Sequence, residues 1–249
     1  MASRWEEVAE DYDRIFRKDA YYYDILAMVA DRVEGAAGVR VLDLGCGTGN
    51  IVALLNERYP LVELCGVDPA DNMVALATDR FHAVPKVQIL KGEGTKIPCP
   101  SESFDYVVSN LALHHVVPEL RVLCAAEIAR VLKPGGRLVY SDLFWDMPGD
   151  REDPARCRDI IDKIVAYALY NLEIGAREMM LFLFEQLPLH LSEKDEYVTV
   201  VEDWLQALSE GGLAGLEVIA TPRPEFAFKL VSGHKPRAKG SGLVSCMIE

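Results

Sequence analysis

Apolar and polar positions alternate in two different patterns along this chain of 249 residues. Residues 3–34 place apolar side chains at helical spacing, among them Trp5, Val8 and Ile15, which predicts one or two amphipathic helices. After two glycines, short apolar runs begin to alternate with helical patterns. This alternation is typical of a parallel sheet that is covered by helices on both faces.

Five strands are predicted from the short apolar runs, with helices between them. The strands are expected at 40–44, 61–67, 87–91, 104–109 and 137–142. The helices are expected at about 50–59, 71–82 and 118–132. Residues 133–136 (Lys-Pro-Gly-Gly) are expected to form a turn that separates the last helix from the fifth strand.

The pattern changes after the fifth strand. Residues 151–209 are largely helical and interrupt the alternation. Two more strands follow at 215–221 and 225–231, and the short link between them favours an antiparallel hairpin whose last strand opposes the others. Phe226, Phe228 and Leu230 alternate with more polar residues, so one face of that strand is expected to be buried.

Three parts of the chain are distinguished on this basis. Residues 1–37 form a helical cap, and 38–232 form an α/β domain with the insert at about 151–209. Residues 233–249 have little apolar pattern and are expected to be a loose tail.

Charge and cysteine content restrict the classes of partner. The net charge is −13 and the pI is near 4.9, which disfavours a nucleic-acid partner. The six cysteines form no C-x-x-C pair, so reduced thiols and a cytoplasmic location are expected. The N-terminus lacks the apolar core of a signal peptide, and no apolar run is long enough to span a membrane.

The richest chemical signal is the sequence VLDLGCGTGN at residues 41–50. A buried strand there ends in an acid, three glycines at alternate positions and the start of a helix. Glycine accepts positive φ and lets the backbone approach a ligand closely. The spacing G-x-G-x-G differs from the dinucleotide pattern G-x-G-x-x-G, and no G-K-[ST] ending follows to hold a nucleoside triphosphate.

This motif resembles the first motif of class I S-adenosylmethionine-dependent methyltransferases. The resemblance covers residues 38–232 and implies a doubly wound, mostly parallel seven-stranded sheet with an antiparallel last strand. It also implies S-adenosylmethionine as the cofactor. The residues that it assigns to the methionine part of the cofactor are Asp43, Gly45, Cys46, Gly47 and Asn50. A tyrosine in the N-terminal helices of related enzymes bonds the cofactor carboxylate; Tyr12 matches it, with core packing as the alternative.

The second predicted strand ends at Asp68, whose carboxylate is suited to accept hydrogen bonds from two ribose hydroxyls. The alternative is a helix N-cap, but Asp71 is better placed for that role. In the resembled family an acid at this point binds the ribose, and Pro69 and Met73 are positioned to pack on the adenine.

After the third strand, the family often has an acid and a small residue that reach the adenine. The matching positions are Gly92, Glu93, Gly94 and Thr95. The alternative for this segment is an ordinary solvated loop.

The fourth strand continues into SNLALHHV at residues 109–116. This run resembles the fourth motif of the small-molecule branch that includes ubiquinone and menaquinone methyltransferases. The resemblance places Asn110 and Leu111 beside the methionine end of the cofactor. His114 or His115 is a candidate general base, and helix capping or packing is the alternative for each. No metal site is expected, because the pattern supplies no third ligand.

The substrate is expected to be a small molecule with apolar or aromatic surface, because the segments that vary between such enzymes are apolar here. These segments include Asp142, Phe144 and Trp145 after the fifth strand. The insert adds Tyr167, Tyr170, Met179, Met180, Phe182 and Phe184, for which a helical core is the alternative. Two other functions stay open at this point: a tRNA or other nucleic-acid methyltransferase, and a non-catalytic protein that binds the cofactor.

Overall fold

A computed structural model describes residues 14–16 and 18–237 of the chain. It contains one seven-stranded sheet. In chain order the strands are β1 (Arg40–Leu44), β2 (Glu63–Asp68), β3 (Val87–Lys91), β4 (Phe104–Asn110), β5 (Leu132–Leu143), β6 (Ala214–Ile219) and β7 (Phe228–His234). The helices are α1 (Ala20–Ala30), α2 (Asn50–Arg58), α3 (Asp71–Phe81), α4 (Arg121–Val131), α5 (Pro154–Glu173), α6 (Arg177–Ser192) and α7 (Val201–Glu210).

The strand order is β3-β2-β1-β4-β5-β7-β6. Six strands run in the same direction, and β7 runs in the opposite direction between β5 and β6. This is the doubly wound sheet with a reversed last strand that the sequence predicts. The order changes direction between β1 and β4, where the chain crosses from one half of the sheet to the other. In such sheets the ligand lies beyond the carboxyl ends of the strands at this switch point.

Successive residues of the central strands point to opposite faces and build two separate cores. Val41 belongs to a cluster with the buried residues of α1, α2, α5 and α6. Its neighbour Leu42 belongs to a second cluster with the buried residues of α4 and α7. Because both faces are covered, β1 is buried at every position except its first, as expected of a central parallel strand.

Residues 133–136 do not form the separate turn expected from their proline and glycines. They lie within β5, which begins at Leu132. The pairing passes from Phe104 opposite Leu132 to Tyr106 opposite Arg137, so three extra residues bulge out of the strand. Gly135 adopts φ +84° there, which explains why a glycine occurs inside a strand.

The final hairpin also differs from its prediction. Phe226 lies in a 3₁₀ turn (Pro224–Phe226) and not in the strand, because Ala227 adopts φ +67° and interrupts the extended chain. β7 starts at Phe228 and is buried on both faces, since Phe228 and Leu230 pack in one core of the sheet and Val231 packs in the other. It continues to His234, beyond the expected end of the domain at residue 232.

Helix α1 packs against the insert and the end of the sheet. The ring of Tyr21 meets those of Tyr167 and Phe228 edge-on, with ring centroids 6.1 and 5.5 Å apart. Asp19 caps α1 by accepting a hydrogen bond from the Tyr22 amide, and it also accepts one from the Tyr167 hydroxyl. Within 14–16 and 18–237, no helix has the length and apolar character needed to cross a membrane.

Candidate functional site

A loop with three left-handed glycines joins β1 to α2. Gly45, Gly47 and Gly49 adopt φ values of +75°, +52° and +87°. The amide of Gly45 donates to the Val67 carbonyl of β2 at 2.8 Å, which ties the loop to the neighbouring strand. A Cβ on Gly45 would lie 2.2 Å from the Cβ of Ala112, so only glycine fits at this position.

The space around the Cβ position of Gly47 is open, whereas that of Gly45 is filled. The nearest atom to a Cβ built on Gly47 is the Met73 sulfur, 4.0 Å away. The backbone at Gly47 therefore faces space that a ligand can fill. Met73 is buried at the start of α3, beside the loop, whereas Pro69 is exposed.

Asp68 at the end of β2 closes this loop from the other side. One carboxylate oxygen accepts the Gly47 amide at 2.9 Å and the other accepts the Ala70 amide at 2.9 Å. Burial raises the pKa of Asp68, although both backbone bonds oppose the rise. Each carboxylate oxygen keeps a second lone pair, so Asp68 can still accept from a ligand hydroxyl.

Asp71 does not cap α3 as expected. Ala70 occupies the N-cap position and makes no side-chain bond, while Asp71 lies in the first turn. The Asp71 carboxylate instead forms an exposed ion pair with Lys91 at 2.7 Å. Asp68 does not occupy the N-cap position of α3 either, because Ala70 does. Its carboxylate accepts the Gly47 and Ala70 amides instead.

Asp43, inside β1, is a fully buried acid. Its Oδ1 atom has no hydrogen-bond partner within the described residues. Burial, with a smaller contribution from nearby Asp68, raises the pKa of Asp43 to about 8. An unpartnered buried carboxyl is costly, and a cationic ligand would relieve that cost.

The side chains of Cys46 and Asn50 brace the loop. The Cys46 sulfur packs against Gly66, where an added Cβ would lie 2.9 Å away. Asn50 accepts a hydrogen bond from Arg80 at 2.8 Å and donates to the Tyr22 hydroxyl at 3.3 Å. Sequence reasoning missed Arg80 and Tyr22, which come from α3 and α1.

The segment after β3 reaches the same edge of the sheet. The Gly92 amide donates to the Asp68 carbonyl at 3.1 Å, which brings this segment beside β2. Glu93 is exposed, and its side chain accepts a 3.5 Å hydrogen bond from Thr95. Gly94 is needed for packing, because an added Cβ would lie 3.0 Å from the Cys124 sulfur.

At the end of β4, two residues face the switch point. Asn110 is buried and accepts a hydrogen bond from the Ser141 hydroxyl of β5. Leu111 adopts φ +52°, a conformation that branched and bulky side chains rarely take. Such strain clusters at functional sites, and it turns Leu111 away from the strand direction.

A cavity opens beside Leu111, between the sheet end and helices α5 and α6. Its volume is about 610 Å³ with its open mouth included. We call it the interhelical cavity and define it by its lining. The apolar lining residues are Phe16, Leu111, Leu143, Ile164, Tyr167, Met179, Phe182, Leu183, Phe226 and Phe228, and the polar ones are His114, Lys163, Gln186, His190 and Glu196.

The predicted pocket residues divide between this cavity and the core. Tyr167, Met179 and Phe182 line the cavity, whereas Phe184 is exposed on the outer face of α6. Asp142, Phe144 and Trp145 do not line it as expected, because all three are buried in the packing around β5. Leu143, between Asp142 and Phe144, supplies that wall instead.

The two adjacent histidines have different surroundings. His114 is buried, and its Nδ1 pairs with the Asp142 carboxylate while its Nε2 lies 3.1 Å from Glu196. The Nδ1 of His115 lies 2.8 Å from the Asp195 carbonyl, and its side chain is 26% exposed. Sequence reasoning missed Glu196, because it follows a polar run after α6 that shows no periodic pattern.

These surroundings shift the pKa values of the two rings in opposite directions. Burial alone would lower the pKa of His114, but Asp142 and Glu196 outweigh it and raise it to about 10. Burial and the charge of His114 lower the pKa of His115 to about 4. Asp142 and Glu196 therefore favour the protonated form of His114, whereas burial and the charge of His114 favour the neutral form of His115.

The geometry fits S-adenosylmethionine, the cofactor implied by the sequence resemblance. The open backbone at Gly47 supplies room, Asp68 supplies acceptors for hydroxyls, and buried Asp43 supplies a site for positive charge. Tyr12, also predicted to contact the cofactor, lies outside the described residues.

The chain is similar to known methyltransferases. Residues 42–140 match the family described as "Methyltransferase domain". An uncharacterized methyltransferase of Geobacillus kaustophilus is 29% identical over 208 residues, which cover 81% of this chain and 92% of the relative. A demethylmenaquinone methyltransferase of Bacillus licheniformis is 30% identical over 141 residues, which cover 54% of this chain and 59% of that enzyme.

A solved structure shows the same fold. The phosphoethanolamine N-methyltransferase 2 of Haemonchus contortus, in complex with S-adenosyl-L-methionine, superposes with a TM-score of 0.66 at 17% identity. The match covers 93% of this chain and 57% of that one.

Proposed function

Because the chain is a class I S-adenosylmethionine-dependent methyltransferase, we propose that it methylates a small molecule with apolar or aromatic surface, bound in the interhelical cavity. One observation carries the proposal: the cavity is largely apolar and begins at Leu111, beside the glycine loop. A concave, apolar site with a few polar groups at one end suits a small ligand.

We assign the cofactor to the carboxyl ends of β1, β2 and β4. When bound, S-adenosylmethionine supplies a methyl group that is already activated by its positively charged sulfur. Asp43 would offset positive charge, Gly45 and Gly47 would admit the methionine part to the backbone, and Asp68 would accept from the ribose. Asn110 and Leu111 would lie at the methionine end of the cofactor, beside the cavity.

The protein's main task in this proposal is positioning. The acceptor atom must approach the methyl carbon in line with the sulfur, in a site from which bulk water is excluded. Leu111, Phe16 and Phe182 would exclude water from that path, since all three line the cavity. The polar lining residues, such as Lys163 and Gln186, would fix the orientation of the substrate.

General base catalysis is needed only if the acceptor must lose a proton. Of the two histidines only His114 lines the cavity, but its raised pKa opposes that role, and His115, whose pKa is lowered, does not line the cavity. Neither histidine is therefore assigned as a base.

The test is a screen for methyl acceptors that measures formation of S-adenosylhomocysteine. The panel contains apolar phenols, carboxylic acids and amines, with total tRNA as a separate arm. We expect turnover with at least one small acceptor. Methylation of tRNA together with inactivity on every small acceptor would contradict the proposal.

A pair of variants ties that activity to the cavity. Met179→Trp would fill the cavity, and Leu181→Trp on the exposed side of the same helix is the matched control. We expect Met179→Trp to raise KM for the acceptor at least tenfold while leaving cofactor affinity unchanged. Equal activity in the two variants would show that the acceptor binds elsewhere.

A further inference from the structure

Three potential metal ligands lie close together at the wall of the interhelical cavity. They are His114 and His115, just after β4, and Glu196, which lies 80 or more residues further along the chain. One ligand atom from each lies within 4.8 Å of the other two. Glu196 supplies the third donor that the sequence pattern lacks.

The spacing of these atoms is close to that of a metal site. Glu196 Oε2 lies 3.1 Å from His114 Nε2, and a ligand atom of His115 lies within 4.8 Å of a ligand atom of each of the other two residues. Ligand atoms about 2.0–2.1 Å from a tetrahedral zinc ion are roughly 3.3 Å from each other. A shift of His115 toward Glu196 would bring the three ligand atoms to that spacing.

The outer contacts orient both rings for ligation. The Nδ1 of His114 pairs with Asp142, and the Nδ1 of His115 lies against the Asp195 carbonyl. Metal-binding histidines commonly donate one ring N–H to a carboxylate or a backbone carbonyl and use the other nitrogen for the metal. For His114 this leaves Nε2, which lies 3.1 Å from Glu196, as the nitrogen for an ion that would replace the proton there.

The surroundings also suit a catalytic type of site. His114 and Glu196 are about 5% exposed, and both line the cavity, so one side of the cluster faces the space proposed for the acceptor. A fourth side chain, His190, has its Nδ1 3.8 Å from Glu196 Oε2. Catalytic zinc sites characteristically have three protein ligands and one open position.

We propose that His114, His115 and Glu196 bind a divalent transition-metal ion whose open position faces the interhelical cavity. Two imidazoles and a carboxylate are typical donors for zinc and iron. There the ion would bind and polarise an oxygen of the acceptor. That role rests on the proposed function, whereas metal binding itself does not.

The experiment is calorimetric titration of chelator-treated full-length protein with Zn²⁺. The variants are His115→Asn, which alters a partly exposed side chain, and Glu196→Gln, which keeps the shape of the carboxylate. His82→Asn is the control for an exposed histidine elsewhere. Cys99→Ser is the control for thiol binding, because Cys65 and Cys99 are hydrogen-bonding neighbours and thiolates also bind zinc.

We expect one Zn²⁺ per chain, with affinity at least tenfold lower in His115→Asn and Glu196→Gln and unchanged in both controls. Co²⁺ bound at the same site should show no thiolate charge-transfer absorption. No zinc binding by the wild type, or loss of binding in Cys99→Ser alone, would overturn the proposal. So would undiminished binding in both ligand variants.

Titration of the same proteins with S-adenosylmethionine keeps the two proposals distinct. We expect His115→Asn to bind the cofactor normally, because His115 is not among the residues assigned to the cofactor. Zinc binding that has no effect on methyl transfer to an oxygen acceptor would overturn the role in acceptor binding and leave the metal site standing.

Discussion

The carboxylate of Asp68 accepts the backbone amide of Gly47 at 2.9 Å, which joins the end of β2 to the glycine loop after β1. Gly47 is the glycine of that loop with open space at its Cβ position. The two features that the sequence resemblance assigns to the methionine part and the ribose of the cofactor therefore belong to one hydrogen-bonded unit. Changes at Asp68 should affect the shape of the loop as well as ribose binding.

The buried carboxyl of Asp43 predicts an unusual dependence of stability on pH. Its pKa is about 8 in the folded protein and about 3.9 in an unfolded chain. Between these values the folded protein binds more protons, so stability should fall as pH rises from about 4 to about 8. Asp43→Asn removes this penalty, so the variant should be more stable than the wild type. The difference in stability should be larger at pH 8 than at pH 5.

Urea unfolding of wild type and Asp43→Asn at both pH values measures the effect. Asp71→Asn is the matched control, because Asp71 is an exposed acid near the same loop. The same Asp43 variant should bind S-adenosylmethionine more weakly, since an amide cannot ionise to offset the positive charge that the cofactor would bring to this proposed site. An equal stability difference at pH 5 and pH 8 would show that Asp43 is not protonated on folding.

Gly45 should tolerate substitution less well than another left-handed glycine. Gly38→Ala carries the cost of φ +81° but has no atom within 4 Å of the new Cβ, so a loss of about 1–2 kcal/mol is expected. Gly45→Ala adds a contact of 2.2 Å with Ala112 and should lose about 1–3 kcal/mol more. Urea denaturation compares the two, and equal losses would mean that Ala112 moves aside freely.

The Tyr167 hydroxyl should stabilise the attachment of α1. It donates to the buried Asp19 carboxylate, and burial raises the pKa of that acid. Tyr167→Phe removes a donor from a buried carboxyl and should cost about 1–3 kcal/mol in the free energy of unfolding. Tyr23→Phe, at an exposed position of α1, should change it by no more than about 0.5 kcal/mol, and a similar loss in both variants would contradict the assignment.

The parallel half of the sheet could be predicted from sequence because its strands are short apolar runs separated by helical patterns. Arg40–Leu44 and Val87–Lys91 agree with their predicted bounds for this reason, although Val87–Lys91 is a partly exposed edge strand. Local signals failed where tertiary pairing overrides them. Gly135 is accommodated as a bulge because β5 pairs with β4 and β7, and the breaker residues do not end the strand.

The candidate site divides in the same way. Asp43, Gly45 and Asp68 could be found because they stand at strand ends, where the topology brings side chains together. Glu196 could not be predicted, because its contact with His114 joins residues 82 positions apart in the chain. That contact depends on how the helical insert packs against the end of β4. Asp71 was assigned a capping role from its residue type, whereas its charge is satisfied by Lys91.

Binding of S-adenosylmethionine by wild type, Asp68→Ala and Asp71→Ala, measured by calorimetry with NAD as a negative control, tests the central claim most directly. We predict binding to the wild type and Asp71→Ala, at least tenfold weaker binding to Asp68→Ala, and none of NAD. A tenfold loss corresponds to about 1.4 kcal/mol, the scale of a hydrogen bond to a charged group. Unchanged affinity in Asp68→Ala would contradict the assignment of the cofactor site to the carboxyl ends of β1 and β2.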